Sequence, residues 1–118
     1  MVDDATPEPG VDEPGGGLQV EPVGDPADGS LHLTGELDAA SGEELLDAGR
    51  DAIARGATAL SLELADLRFC DSAGLRALVL LSREVEGPLV LLEPSAMLVR
   101  LLEVTGLSEA FTLSSPRL

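Results

Sequence analysis

Residues 30–37, SLHLTGEL, set Leu31, Leu33 and Leu37 on one side of an extended chain and His32, Thr34 and Glu36 on the other. A strand satisfies that period of two and a helix does not. The period then lengthens, and Leu45, Ala48, Ala52 and Ile53 fall on one side of a helical repeat. Such switching recurs to the end of the chain and confines it to a sheet with helices laid against it. Residues 18–23 read as a first short strand, which the cluster GDPADG at 24–29 turns back beside the next one. Ser41 with Glu44 three residues later predicts a capping box at the first helix. Gly56 predicts a left-handed stop before a strand carrying Leu60, Leu62 and Leu64 and ending near Leu67. Ser72 predicts the cap of a second helix running to about Glu86, stopped by Gly87 and Pro88.

The run at 89–93, apolar up to Glu93, reads as a strand covered on both faces. Ser95 then caps a third helix with Leu98, Leu101 and Leu102 inward, ended near Gly106, and a last short strand holds Phe111 and Leu113. The expected fold is α/β: a mixed sheet of four to five strands with about three helices packed against it. Its order is ββαβαβα(β), with parallel, right-handed later crossovers.

Residues 1–17 contain five acids, three Pro and four Gly, with Val2 and Val11 as the sizeable apolar side chains. Burial on that scale does not offset the entropy of ordering, so an acidic, Pro/Gly-rich disordered tail is expected there and one domain over 18–118. The 118 residues carry 7 Lys+Arg against 22 Asp+Glu, a formal charge of −15. Phosphate backbones and anionic lipid repel such a chain, and two Phe with no Tyr or Trp supply no stacking platform, which argues against nucleic acid. The charge divides: residues 1–30 hold eight acids and no base, residues 31–118 hold 14 acids and seven Arg. The folded part is therefore only moderately acidic.

The longest apolar run, 77–81, is far short of the roughly 20 residues that span a bilayer, so no membrane insertion is expected. Acid stands where a secretory signal would place Lys or Arg, and one Cys closes no internal disulfide, so a cytoplasmic protein is expected.

No catalytic set emerges from these residues. The one His, His32, sits mid-strand on a polar face, and without it no Ser–His–Asp triad is possible. Gly15, Gly16 and Gly17 precede a strand and lack the Lys of a phosphate loop. Glu43 and Glu44 suit a helix N-terminus, which favours negative charge. No cofactor and no structural metal site is expected. The segment 69–75 stands apart, because a strand feeds a helix through a short link and delivers Ser72 to the rim at the strand's carboxyl end, where open α/β sheets present ligands and partners. A plain alternative stays open: Ser72 is an N-cap worth about 1 kcal/mol, and Asp71 complements the helix dipole. Cys70 beside it reads as a small buried hydrophobe, with nothing basic adjacent to lower its pKa.

LTGELDAAS at 33–41, LADLRFCDSAGLRAL at 64–78 and LLEVTGLSEAF at 101–111 resemble, at these spacings, the anti-sigma factor antagonists of the STAS family, over about residues 18–114. The resemblance implies a STAS fold and a protein that is not an enzyme but the substrate of two. Its Ser72 would be phosphorylated by a partner anti-sigma factor serine kinase and freed by a metal-dependent serine phosphatase. The unphosphorylated form would bind the kinase and release a sigma factor; phosphorylation would end the binding. Asp38 and Asp71 match the flanking acids, and Gly74 and Leu75 complete the motif. Ala73 stands where the family often has a second hydroxyl, and residues 114–118 are too short for the final helix many antagonists carry. Arg76 and Arg83 are expected to be exposed contacts, with Leu78, Val79 and Leu81 in the core. The resemblance also admits an alternative, a non-switching STAS module docking to the ATPase subunit of a bacterial lipid transporter.

Overall fold

The computed structural model describes residues 17–114. The tail expected over 1–17 therefore lies outside the described residues except for Gly17, as do residues 115–118. The elements run β1 (Leu18–Pro22), β2 (Ser30–Leu37), α1 (Gly42–Ala54), β3 (Leu60–Cys70), α2 (Ser72–Glu84), β4 (Leu89–Leu92), α3 (Ala96–Thr105) and β5 (Thr112–Ser114), with short 3-10 turns at Pro26–Asp28 and Ser108–Ala110. They form one five-stranded sheet in the order β1-β2-β3-β4-β5. β1 pairs antiparallel with β2 and the remaining pairs are parallel, which is the mixed sheet the sequence predicts.

Because the parallel strands lie side by side in chain order, right-handed crossovers all step the same way and leave the three helices on one face. Alternation along β2 agrees: Leu31, Leu33, Gly35 and Leu37 are buried while Ser30, His32, Thr34 and Glu36 are half-buried. The expectation that β4 is covered on both faces is thereby corrected. Leu89 and Leu91 are buried, Val90 and Leu92 only half so, because the face away from the helices is shielded by neighbouring strands alone.

The twelve largest fully buried side chains are all leucines. Such a core holds no polar group that needs a partner. The buried polar residue among the described ones is Ser41, 2% exposed, and it corrects a second expectation. Ser41 occupies the N-cap position of α1 but its side chain makes no cap bond, so the capping box with Glu44 does not form and Glu44 is exposed. The Ser41 hydroxyl instead turns back to the end of β2. It lies 2.9 Å from the Glu36 carbonyl and 3.0 Å from Asp38 Oδ1 as a donor, and it accepts from the Asp38 amide at 2.9 Å. Ser41→Ala leaves that carbonyl and amide buried without this partner and is expected to cost about 1–2 kcal/mol, read as a fall in denaturant midpoint at unchanged slope.

β3 runs to Cys70, three residues beyond its expected end. Two irregularities account for this, since His32↔Glu63 is followed by Thr34↔Asp66, and Gly35↔Leu67 by Glu36↔Phe69. Each inserts one extra residue on the β3 side, which moves the buried positions from Leu60, Leu62 and Leu64 to Leu67. α2 ends at Glu84 rather than Glu86, because Val85 is already extended and buried. On α1 the buried side includes Leu46 and Gly49 while Ile53 is only half-buried. At α3 Ser95 accepts from the Leu98 amide at 3.0 Å and Gly106 is left-handed at φ 75°, as expected.

Candidate functional site

The turn from β3 into α2 decides the state of Ser72. Asp71 is extended and its carboxylate accepts from the Gly74 amide at 2.8 Å, so Asp71 is the N-cap and Ser72 is the first helical residue. The reading of Ser72 as the cap is thus overturned: the carboxylate one residue earlier has taken that bond. Ser72 is exposed, and its hydroxyl has no hydrogen-bond partner among the described residues. Asp71→Ala is expected to lower stability by about 1 kcal/mol, while Asp71→Asn keeps most of it; thermal melts of the two variants test the assignment.

The turn is pinned to the end of β2. The Asp71 amide donates to the Leu37 carbonyl at 3.3 Å, and Gly74 lies so close that an added Cβ would overlap that carbonyl oxygen and sit 2.8 Å from its carbon. Leu75 follows into the core at 2% exposure. Asp38 serves the neighbouring turn, its Oδ1 accepting from the amides of Ala40 and Ser41, both at 3.1 Å. Its role in the geometry is to shape the β2–α1 connection.

Between α1 and α2 lies an open groove of about 480 Å³. Gly42, Glu43 and Leu46 wall it on the α1 side, and Ser72, Ala73, Arg76 and Leu80 on the α2 side. The structure therefore brings Ser72, Ala73 and Arg76 to one surface, with Asp71, Gly74 and Leu75 beneath it as supports; Asp38 is not in the lining. Glu43 and Leu80 were not read from sequence as part of a site. Leu80, 38% exposed, signals it by breaking the polar side of α2, and Glu43 shares a helical stripe with Leu46. Leu78 and Leu81 are buried, Val79 is half-buried, and Arg76 and Arg83 are exposed. Further along the same two helices the Arg50 guanidinium forks onto Glu84 at 2.8 Å for each contact, tying α1 to α2. Hydrogen bonding to Arg50 holds the Glu84 carboxyl below its usual range, so this tie is present above the ordinary carboxylate pKa and is lost as pH falls through the lowered one.

Cys70 is half-buried and its thiol pKa is pushed up to about 12, first by burial and then by the Asp71 carboxylate. The thiol is protonated at neutral pH and is a poor nucleophile. His32 bonds Asp66 at 2.9 Å on the sheet face away from the helices, so the pair does not serve Ser72. Among the described residues no group of three or more His, Cys, Asp or Glu side chains is placed to hold a metal ion. No helix among them is long and apolar enough to cross a membrane.

A family model described as "Mlab, STAS domain" matches residues 22–114. Several solved structures are similar to this chain. An anti-sigma factor antagonist from Mycobacterium paratuberculosis is 26% identical, with 86% of each chain covered and a TM-score of 0.67. The Bacillus cell fate determinant SpoIIAA in its phosphorylated form is 25% identical over 84% of this chain and 92% of that one, at a TM-score of 0.60. The anti-sigma factor antagonist SpoIIAA in its unphosphorylated form, 23% identical over 86% of this chain and 89% of that one, matches in fold at a TM-score of 0.61. A search of curated proteins returns no match.

Proposed function

This chain belongs to the STAS-domain family, and on that footing we propose that it is an anti-sigma factor antagonist switched by phosphorylation of Ser72. Unmodified, it binds an anti-sigma factor serine kinase through the groove between α1 and α2 and so frees a sigma factor in the cytoplasm. Ser72 Oγ then takes the γ-phosphoryl group of ATP, with loss of the hydroxyl proton and release of ADP, and binding ends. A serine phosphatase hydrolyses the ester to restore the hydroxyl and release inorganic phosphate.

The observation that carries this reading is the division of labour at the turn. Asp71 caps α2, so the neighbouring Ser72 hydroxyl is exposed and holds up nothing in the fold. A serine that capped the helix would have to give up its bond before it could be modified. The position also tolerates the product, since a phosphate adds about −1.5 to −2 charges where a helix N-terminus favours an anion. The fold survives modification and the effect falls on the interface. Similarity to a protein solved in both phosphorylated and unphosphorylated forms supports the same reading.

A competition experiment tests it. With kinase and ATP present, Ser72→Ala is expected to stay bound while the wild-type chain is released over time. Release of both at the same rate would contradict the proposal. Binding of neither chain to the kinase, with no phosphate transferred, is the result that the non-switching transporter module would give.

A further inference from the structure

We infer that Arg76 grips the phosphate carried by Ser72 and holds it over the groove, acting as a positioning residue for the modified state. The inference rests on the proposed modification of Ser72. Ser72 and Arg76 stand four residues apart in α2, which places them one above the other on the same side of the helix, about 5–6 Å apart at their Cβ atoms. Both line the same groove and both are exposed. Ala73 and Ala77 beside them are too short to come between the two side chains.

Among the described residues Arg76 is also uncommitted. Arg50, Arg55 and Arg68 lie against Glu84, Asp51 and Glu36, whereas Arg76 makes no ion pair among the described residues. The carboxylate that lines the same groove is Glu43 on the α1 wall. A phosphate dianion outcompetes an exposed carboxylate for a guanidinium, because it offers more charge and the same two-pronged geometry. Phosphorylation then alters two charges at the groove in one step: the phosphate arrives, and Arg76 is withdrawn from any acidic group that a partner presents to it.

The second ionisation of the phosphate reports the contact. Phosphoserine placed at 72 by genetic encoding, with no kinase involved, is titrated by 31P NMR in otherwise wild-type chain, in Arg76→Gln and in Arg76→Lys. Glu43 and Asp71 raise this pKa and the helix N-terminus lowers it, and all three are common to the three proteins. The wild type is expected to titrate about half a unit to one unit below Arg76→Gln at low salt, with Arg76→Lys between them and the gap narrowing as salt rises. Coincident titrations of wild type and Arg76→Gln would overturn the inference. Failure of every kinase to modify Ser72 would defeat the proposed switch and leave this titration as it stands.

Discussion

Phosphorylated at Ser72, the chain is expected to bind its kinase about a thousandfold more weakly than the unmodified chain, a difference of about 4 kcal/mol. The magnitude follows from charge at short range. Two unit like charges about 5 Å apart in a medium of effective dielectric near 20 repel by about 3 kcal/mol. A phosphate brings more than one unit, into a groove whose α1 wall already carries Glu43. One such contact with an acid of the partner, together with steric overlap and the loss of Arg76 to the phosphate, reaches the thousandfold. Asp38 contributes little, since its carboxylate is occupied by the amides of Ala40 and Ser41. The penalty should shrink as salt is raised, because interface charges are screened over about 8 Å at physiological ionic strength. Ser72→Glu, with one negative charge and a different shape, should lose less. Titration calorimetry of the three forms against one kinase preparation measures this; equal affinities would contradict a repulsive switch.

Gly74→Ala is expected to destabilise the chain by about 2 kcal/mol, against the usual preference of helices for alanine. That preference is worth about 1 kcal/mol in favour of the variant. Opposing it, the new Cβ would overlap the Leu37 carbonyl oxygen, and backbone cannot swing aside as a flexible side chain can. Overpacking of this kind costs about 3 kcal/mol, so the clash wins. In a domain of this size the net loss lowers Tm by about 10 °C. A raised Tm would show that α2 does not dock on the end of β2 as described. Because the same movement displaces Asp71 and Ser72, the variant should also be phosphorylated more slowly while still folded.

Much of the architecture can be read from single residues, and the misses share one physical cause. The alternation of Leu31, Leu33 and Leu37 defines β2, and Ser95 and Gly106 bound α3, because each is a local preference with no near competitor. Ser41 has a competitor. Its hydroxyl can bond forward to the helix amides or back to the strand it has just left, and the Glu36 carbonyl and Asp38 amide decide for the second. Asp71 and Ser72 are both good caps, and the choice between them depends on where β3 stops, which two register irregularities with β2 determine. The apolar run at 89–92 is equally consistent with one covered face or two until the order of strands is known.

The groove was the least visible feature in sequence. It exists because α1 and α2 approach closely, and at Gly49 a Cβ would fall 2.5 Å from Leu81 Cδ1. A hydrophobic periodicity weighs large side chains and passes over a glycine at a helix contact. Ser72 is legible in the short link from strand to helix, and the motif resemblance gives it a role. What the structure adds is its freedom from any capping duty, together with the neighbours it faces.

Ser72 is the residue proposed to carry the phosphate. Incubation of the full chain with its kinase and ATP, followed by proteolysis and mass spectrometry, is expected to find one phosphate per chain, on Ser72, with Ser41 and Ser82 unmodified. A phosphate on another residue, or none from a kinase that binds the chain tightly, would contradict the account.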